Sequence, residues 1–429
     1  MNITVVALGK IGLPLAVQFA LKGHQVLGSD IDPRVVESVN AGLEPFPGED
    51  RLAEHLSEVV RSGRLRAVAS TQEAVRASDA VVVVVPLFVD RDGSPDFSPL
   101  DAATKAIGEA LQAGTLVSYE TTLPVGTTRG RFAPALEKYS GLRAGEDFSL
   151  VFSPERVLTG RVFSDLRRYP KLVGGIDEPS AARGMQFYEA VLDFDARPDL
   201  DRPNGVWDLG SAEAAELAKL AETTYRDVNI GLANQFAVFA ERNGIDIHQV
   251  IAASNSQPYS HIHQPGVAVG GHCIPIYPRL YLWNDPDATV VSAARAANAA
   301  MPSHVVEQLK RLLGGLDGTT VAVLGAAYRG GVKETAFSGV FPIVEALTTE
   351  GATVLVHDPL YSDEELAALG LRPWHIGEPA DGVIVHTDHG SYRDLTARDV
   401  PGVRALVDGR RVTTPEHWAG VVRTVIGVG

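Results

Sequence analysis

The chain has 429 residues, of which 45% are hydrophobic and 21% charged, a composition typical of a folded protein with two or three domains rather than a disordered or fibrous one. Its net charge of −15 at pH 7 opposes binding to nucleic acid and to anionic membrane surfaces, so backbone amides and a few placed cations would have to hold any phosphorylated ligand. A single cysteine excludes an intramolecular disulfide and a cysteine-based metal cluster, and we predict no metal site.

The N-terminus runs directly into a strand pattern without a charged leader or cleavage signal, and no segment reaches the ~20 apolar residues of a membrane span. We therefore expect a cytoplasmic protein. Strand and helix signals alternate through the first part of the chain, which favours a doubly wound parallel sheet. Five consecutive valines suit a central strand that is covered on both faces. The predicted elements are strand Ile3–Leu8, helix Leu13–Lys22 and strands Gln25–Ser29, Asp79–Pro86, Thr115–Thr122 and Phe148–Glu155.

A glycine-containing turn between the first strand and the first helix lies where a dinucleotide-binding fingerprint belongs. Gly9 would let the backbone approach a pyrophosphate, and Gly12 would let the helix pack closely on the strand. Asp30, at the end of the second strand, is placed to bind ribose hydroxyls and to repel a 2′-phosphate, so we predict NAD rather than NADP. Ala7 replaces the first glycine of the fingerprint, and a tight turn without a cofactor is the alternative. The residues that we assign to the cofactor are Gly9, Lys10, Ile11, Gly12, Asp30, Arg34, Pro86 and Thr122.

Alanine, leucine and glutamate recur at helical spacing from Ser211, which predicts one long helix that ends at Gly244. An exposed apolar face on such a helix would be buried in a homodimer. Gly318 then opens a second βαβ pattern, but its turn, Gly325-Ala326-Ala327, lacks the later glycines, so we expect no NAD there. The predicted fold is α/β, with two Rossmann-like doubly wound domains joined by a long central helix. The predicted domains are 1–204 for NAD, 205–300 for dimerisation and 301–429 for the nucleotide sugar.

Cys273 lies in the loop Val269–Pro275, after two glycines and a histidine. A lone cysteine is commonly a small core hydrophobe. Flexible glycine-rich backbone is instead typical of sites where a ligand presses against the chain, and a cysteine nucleophile would need a nearby cation. The local sequence leaves both readings open.

Seven motifs occur along the chain: GKIGLPLA, SPERVLTG (153–160), KLAETTYRDVNIGLANQ (219–235), QPGVAVGGHCIP (264–275), VVSAARAANAAMP, TDH (387–389) and DGRR (408–411). In this order they resemble the nucleotide-sugar 6-dehydrogenase family that acts on UDP-glucose, GDP-mannose and UDP-N-acetylmannosamine. The resemblance covers essentially the full length. The form GGHCIP resembles the branch that acts on N-acetylated hexosamines.

The resemblance implies an NAD-dependent oxidation of the C6 hydroxyl of a nucleotide sugar to the uronic acid, in two steps and through a cysteine thioester. It implies that Cys273 is the nucleophile and Lys219 the oxyanion stabiliser. Glu155 becomes the candidate base for hydrolysis, and Thr122 holds a water beside it. The resemblance also implies that either Arg410 or Arg411 is a cation near the diphosphate. The residues that it assigns to the substrate are Arg226, Asn229, Asn234, Gly266, Gly270, Gly271 and Arg410.

Several positions depart from the family pattern. Thr223 replaces an asparagine, Tyr277 an aspartate that takes part in water activation, and Tyr259 an arginine. Ala336-Phe337 replaces an Arg-Glu pair, and Leu87-Phe88 follows Pro86. Loss of the aspartate should affect thioester hydrolysis more than hydride transfer, unless His261, His263 or His272 replaces it.

Three other functions stay open at this point. A divergent member could stop at the aldehyde or pass its acyl group elsewhere. A two-electron dehydrogenase or epimerase similar to the 6-phosphogluconate dehydrogenase group would not need Cys273. A non-catalytic nucleotide-sugar sensor would bind without producing NADH, although retention of Cys273, Lys219 and Glu155 together opposes this reading.

Overall fold

The computed structural model of the chain describes residues 1–90 and 93–429. The chain divides into two compact units, Met1–Ala221 and Glu222–Gly429. Each unit contains a sheet of mainly parallel strands with helices between the strands. The predicted fold class, two Rossmann-like doubly wound domains joined by a long helix, is confirmed. In the part of the chain that the structure describes, no helix is both long and apolar enough to span a membrane.

The main sheet of the first unit has its earliest strand near the middle, as in a doubly wound fold. Its order is β10-β9-β8-β7-β4-β1-β2-β3, and every neighbouring pair is parallel except β8 and β9. The strands are β1 (Asn2–Val6), β2 (Gln25–Ser29), β3 (Leu65–Val68), β4 (Ala80–Val83), a separate two-stranded ribbon of β5 (Phe88–Val89) and β6 (Pro95–Asp96), then β7 (Leu116–Tyr119), β8 (Ser149–Phe152), β9 (Lys171–Gly175) and β10 (Val206–Asp208).

The valine run forms a central strand, as predicted: β4 lies between β1 and β7, and all four of its residues are buried. The strand β2 has the predicted bounds, whereas the other predicted strands are shorter than their apolar runs, because the residues at the carboxyl end of each run belong to the loop that follows the strand. The helices of the first unit are α1 (Gly12–Leu21), α2 (Pro33–Asn40), α3 (Leu52–Arg61), α4 (Thr71–Val75), α5 (Ser98–Gly108), α6 (Ala133–Ser140), α7 (Val162–Arg168) and α8 (Glu178–Val191).

The predicted long helix is α9 (Ala212–Arg242), which contains the boundary between the two units. It ends just before Gly244, whose φ of +66° is a left-handed conformation that glycine adopts without strain. The remaining helices are α10 (Ile247–Ser254), α11 (Tyr277–Asn284), α12 (Thr289–Leu313), α13 (Val340–Thr349) and α14 (Asp363–Ala368).

The sheet of the second unit is parallel throughout, in the order β12-β11-β13-β14-β15. Its first strand again lies inside the sheet rather than at an edge, so the second half of the chain repeats the winding of the first. The strands are β11 (Thr320–Leu324), β12 (Thr353–His357), β13 (Gly382–Val385), β14 (Ala405–Asp408) and β15 (Val422–Val425).

The turn after β1 contains a strained residue. Ala7 has a φ of +75°, and its N–H donates to the carbonyl oxygen of Ser29 at 2.8 Å. A left-handed conformation costs a residue with a Cβ roughly 1–2 kcal/mol, and glycine nothing comparable. The chain therefore retains the geometry of the glycine fingerprint with a residue that does not favour it.

We predict that Ala7→Gly raises the free energy of unfolding by about 1 kcal/mol, because the strain is relieved at the expense of some backbone entropy in the unfolded chain. Thermal and denaturant unfolding of the variant measure this. The control is Ala20→Gly in the last turn of α1, where Ala20 is fully buried; this substitution should instead lower the free energy of unfolding by about 1 kcal/mol or more. Equal destabilisation by both substitutions would contradict the prediction.

Candidate active site

The turn after β1 is held by a carboxylate. The Asp30 side chain accepts hydrogen bonds from the N–H groups of Leu8 at 2.8 Å and Asp32 at 2.9 Å. It therefore fixes the loop after β2 to the turn after β1. The carboxylate lies at the carboxyl edge of the sheet where the sequence predicted a ribose contact, and that contact stays a prediction.

The two glycines of this turn have different surroundings. A Cβ on Gly12 would lie 1.9 Å from the carbonyl oxygen of Ala7, so only glycine allows α1 to begin here. A Cβ on Gly9 would meet no atom within 4 Å. Ile11, the residue before α1, is aliphatic and cannot cap the helix, so its first N–H groups receive no side-chain cap. Open space at Gly9 in front of an uncapped helix N-terminus fits a pyrophosphate.

The other residues assigned to the cofactor line the same edge of the sheet. Lys10 is exposed in the turn itself, and Pro86 is exposed in the loop after β4. Arg34 is also exposed, and its guanidinium forms an ion pair with Asp32 at 2.8 Å. Contacts of these three side chains with NAD stay predictions.

The second unit contains a similar turn, in which a carboxylate of the same unit binds the backbone N–H groups. Gly325 has a φ of +104°, and the Asp358 carboxylate after β12 accepts from the N–H groups of both Ala326 (2.8 Å) and Ala327 (2.9 Å). His389 contacts the same carboxylate oxygen at 3.1 Å. The next helix along the chain begins only at Val340, so this turn does not lead directly into a helix. The expectation that the second turn holds no dinucleotide stays a prediction.

Glu155 belongs to a buried cluster of charges in the first unit. Its Oε2 lies 2.9 Å from Nζ of Lys171, which also lies 2.7 Å from Oε2 of Glu120. The Tyr188 hydroxyl donates to the other oxygen of Glu120 at 2.7 Å. Side-chain exposure is 0% for Glu120, 4% for Lys171 and 10% for Glu155, so the cluster opens to its surroundings at Glu155.

The charges in this cluster shift the pKa values in opposite directions. Burial raises the pKa of Glu155, but the charge and hydrogen bond of Lys171 and the N–H of Arg156 outweigh burial and hold that pKa below its usual value. Burial, assisted by the charge of Glu155, raises the pKa of Glu120 to about 7 despite Lys171. Glu155 is therefore a carboxylate across the neutral range, as a base for water requires.

Thr122 and Lys219 are both buried in the first unit. Thr122 follows β7 and Glu155 follows β8, and the parallel pairing of these strands puts both at one sheet edge. Glu216, one turn before Lys219 on α9, accepts from the N–H groups of Gly126 (2.6 Å) and Thr128 (2.8 Å). Glu216 thus ties the helix of Lys219 to the loop that follows Thr122.

Cys273 belongs to the second unit and is exposed, so the reading of this residue as a packed core hydrophobe is wrong. It lies just before α11, and its carbonyl oxygen accepts from the N–H groups of Ile276 and Tyr277 at 3.1 and 2.9 Å. Gly271 has a φ of +100°, and its N–H donates to the carbonyl oxygen of Ala336 at 2.8 Å. The thiol therefore stands on a loop whose backbone is fixed.

Three asparagines hold the segment that leads to this loop. Asn229 donates to the carbonyl oxygen of His261 at 2.6 Å and accepts from the N–H of His263 at 2.9 Å. Asn234 accepts from the N–H of Gly266 at 2.9 Å and donates to Asn298. Asn255 exchanges two hydrogen bonds with the backbone of Ile262. Asn229 and Asn234 thus position the loop, and their contacts with the substrate stay predictions. Arg226 lies on the same helix and is exposed.

Arg410 is the cation that lies against the loop. Its Nε donates to the carbonyl oxygen of His386 at 2.9 Å, and a Cβ on Gly266 would lie 2.9 Å from its Nη1. Burial lowers the pKa of Arg410, and Asp388 opposes this shift. A Cβ on Gly270 would lie 2.5 Å from Cβ of Tyr328, so glycines allow the loop to pack on the segment after β11.

Residues at the divergent positions contact this loop. Nε2 of His272 lies 3.1 Å from a carboxylate oxygen of Glu334. Phe337 has a φ of +51° and a side chain that is 44% exposed, and the guanidinium of Arg279 lies 5.9 Å from its ring centroid. Tyr259 is exposed at a turn, and Tyr277 opens α11. Among the residues that the structure describes, no His, Cys, Asp or Glu side chains are grouped in a way that could hold a metal ion.

The sequence reasoning missed Glu120, Lys171, Tyr188 and Glu216. A usable signal was present, because Lys171 begins the apolar run KLVGG and Glu120 directly follows the apolar segment LVSY. A charge at the end of a buried strand needs a partner of opposite sign. The predicted catalytic residues are divided between the units, with Thr122, Glu155 and Lys219 in the first and Cys273 in the second.

Three family models match the chain in order. They describe the UDP-glucose/GDP-mannose dehydrogenase family: its NAD binding domain matches residues 1–192, its central domain 213–300 and its UDP binding domain 322–415. A UDP-N-acetyl-D-mannosamine dehydrogenase from Pyrococcus horikoshii is 33% identical over 442 residues, with 100% of both chains covered.

Solved structures are similar over the same length. The structure of a UDP-D-ManNAc dehydrogenase from Pyrococcus horikoshii has a TM-score of 0.88 at 31% identity, covering 100% of this chain and 99% of that one. A UDP-glucose dehydrogenase from Pyrobaculum islandicum has a TM-score of 0.86 at 30% identity, covering 100% and 98%.

The different surroundings of Gly9 and Gly12 lead to a prediction. Gly9→Ala should leave the free energy of unfolding within about 1 kcal/mol of the wild type but weaken NAD binding roughly tenfold or more, because its Cβ occupies the space that a pyrophosphate needs. Gly12→Ala should cost about 1–3 kcal/mol of stability through its clash with Ala7. Calorimetric titration with NAD and thermal unfolding measure the two effects. Unimpaired NAD binding by Gly9→Ala would show that the dinucleotide lies elsewhere.

Proposed function

Because the chain belongs to the UDP-glucose/GDP-mannose dehydrogenase family, we propose that it oxidises C6 of a UDP-N-acetylhexosamine to the carboxylate through a thioester on Cys273. The coarser statement, an NAD-dependent nucleotide-sugar dehydrogenase, follows from the family. The single observation that carries the finer proposal is the exposure of the Cys273 thiol on a fixed, glycine-lined loop. The full-length similarity to UDP-N-acetyl-D-mannosamine dehydrogenases supports the choice of sugar.

The proposed reaction balances over two oxidations. The C6 alcohol loses a hydride and a proton and becomes an aldehyde. The Cys273 thiol adds to the aldehyde carbon to give a thiohemiacetal, which loses a second hydride and proton to give the thioester. Water then breaks the C–S bond, which releases the acid and the thiol. NAD, when bound, supplies the acceptor for each hydride, so each molecule of acid accompanies two of NADH.

The residues of this chain have separate tasks in the proposal. Lys219 stabilises the oxyanion that forms at C6 in each tetrahedral state. Glu155 takes a proton from the attacking water, which its depressed pKa permits because the carboxylate is ionised at neutral pH. Thr122 holds that water. Arg410 and the Gly266–Gly271 backbone hold the diphosphate, which lets a chain of net charge −15 bind an anion locally.

We also propose that two copies of the chain associate through α9. In the second unit this helix carries small residues on its buried face, where a Cβ on Gly231 would lie 2.9 Å from the carbonyl oxygen of Ala294. Large apolar residues lie at helical spacing on the exposed face, which is the reverse of the arrangement in a solvated helix. They are Tyr225, Leu232, Phe236 and Phe239, with exposures of 56, 44, 37 and 62%. Location in the cytoplasm stays a prediction.

We predict that the enzyme forms two NADH and one free uronic acid per molecule of UDP-N-acetylmannosamine. Absorbance of NADH and mass spectrometry of the product measure this, in a panel that also contains UDP-glucose and GDP-mannose. Cys273→Ser should lower acid formation by roughly 10³-fold or more, since a serine hydroxyl in place of the thiol cannot form a thioester.

The other outcomes separate the alternatives. One NADH with free aldehyde would indicate partial oxidation, in line with Tyr277 at the position of the aspartate. Full acid formation by Cys273→Ser would reject the thioester. Binding of every nucleotide sugar without NADH would indicate a sensor.

For the homodimer, we predict that Phe239→Glu weakens association by tenfold or more in sedimentation experiments, about 1.4 kcal/mol or more, because it puts a charge into an apolar contact. Leu43→Glu is the matched control, since Leu43 is about equally exposed, at 63%, but belongs to the first unit and not to α9. A monomeric wild-type protein, or equal effects of both substitutions, would reject the proposed interface.

A further inference from the structure

The cluster around Glu155 contains more charge than a hydrolytic base alone requires. Two carboxylates, Glu120 and Glu155, share the single ammonium group of Lys171, and all three side chains are at most 10% exposed. Taking three charges out of water is expensive, and an arrangement of this kind is kept only where good geometry repays it. The three residues come from the ends of β7, β8 and β9, so the sheet itself brings them together.

We infer that Lys171 is the positioning residue of Glu155, which it fixes in orientation and keeps ionised, and that the buried carboxyl of Glu120 is the second partner that holds Lys171 in place. This inference rests on the proposed role of Glu155 as the base in thioester hydrolysis. It assigns to that reaction two residues that do not themselves contact the substrate.

The hydrogen bonds fix the two oxygens of Glu155 differently. Oε1 accepts from the N–H groups of Arg156 at 2.7 Å and Val157 at 3.2 Å, while Oε2 contacts Nζ of Lys171. Both oxygens are thus bonded through donors that favour the charged form, and the carboxylate plane cannot rotate without losing one of them. The side chain reaches the attacking water in one orientation.

Lys171 is itself held from two further directions. Its ammonium lies 4.8 Å from the ring centroid of Tyr188 and contacts Glu120, whose other oxygen accepts from the Tyr188 hydroxyl. Ser118 adjoins the same hydroxyl at 2.7 Å. Arg156 is a further charged group near the cluster, and its Nη1 donates to the carbonyl oxygen of Pro170 at 3.2 Å. The ammonium position is therefore set from α8, β7 and β8.

The direction in which each substitution shifts the pH dependence of thioester hydrolysis distinguishes this role from simple structural support. Removal of the cation raises the pKa of Glu155, so the acid limb of the hydrolysis rate moves to higher pH. Because the pKa of Glu120 is about 7, this carboxyl is largely protonated where Glu155 titrates, so Glu120→Gln leaves the acid limb where it is or moves it to lower pH. A merely structural cluster would give equal losses at all pH values for both changes.

The test uses single turnovers of the wild-type enzyme with NAD and UDP-N-acetylmannosamine. The burst of NADH absorbance measures hydride transfer, and mass spectrometry of the intact protein measures formation and hydrolysis of the acyl-enzyme. Lys171→Met should shift the acid limb of acyl-enzyme hydrolysis upward by roughly one to three pH units and slow hydrolysis more than hydride transfer. Lys171→Arg should restore the wild-type limb, and Glu120→Gln should show no upward shift.

Because Lys171→Met leaves two buried carboxylates without a cation, it can fail to fold. The double variant Lys171→Met with Glu120→Gln buries only one carboxylate and tests the same loss of the cation, with thermal unfolding as the check on folding. An unshifted acid limb in the folded double variant, or an upward shift in Glu120→Gln, overturns the inference. The variant Glu155→Gln separates the proposed role of Glu155 from that of Lys171. Unimpaired hydrolysis in Glu155→Gln rejects Glu155 as the base. Blocked hydrolysis in Glu155→Gln, together with an unshifted acid limb in the Lys171 variants, rejects only the positioning role of Lys171.

Discussion

Side-chain carboxylates and amides that accept hydrogen bonds from backbone N–H groups hold the loops on which the proposed chemistry depends. Asp30 holds the first turn, Glu216 the loop after Thr122, and Asn234 the approach to Cys273. A loop at the edge of a parallel sheet lacks strand partners for its N–H groups, and an unmade buried hydrogen bond is costly. Side chains from other parts of each unit supply the missing acceptors, so the loops gain fixed geometry without regular structure. Some of the acidic side chains therefore bind backbone N–H groups of the chain itself.

The architecture could be predicted from the sequence because its signals are local. The valine run, the turn at Gly9 and the long helix ending at Gly244 each depend on residues that are neighbours in the chain. The strand order and the contacts of the loops were not predictable in this way, because they join distant segments: Lys171 meets Glu120 across 51 positions, and Gly266 meets Asn234 across 32. The motif resemblance found Cys273 and Glu155 but gave no reason to choose Lys171, which only tertiary contacts identify.

The proposed chemistry depends on a balance between burial and charge. Glu120 and Glu155 are chemically identical groups that share one ammonium, yet burial raises the pKa of Glu120 while Lys171 and the backbone lower that of Glu155. Both carboxyls are buried and both contact Lys171, but the N–H of Arg156 also lowers the pKa of Glu155, whereas the charge of Glu155 raises the pKa of Glu120. Two of the left-handed non-glycine residues, Ala7 and Phe337, lie in segments where a ligand is expected, so part of the energetic cost of backbone strain falls at the proposed binding loops.

The two aspartates beside the turns after β1 and β11, Asp30 and Asp358, differ in the number of hydrogen bonds that hold them. Asp30 binds one N–H of its turn, whereas Asp358 binds two and is itself held by His389. The turn of the second unit therefore has two N–H groups that are already paired with a carboxylate of the same unit. A phosphate bound to this unit would have to take its hydrogen-bond donors from other groups, so the loops around the turn, and not the turn itself, would determine which anion is accepted.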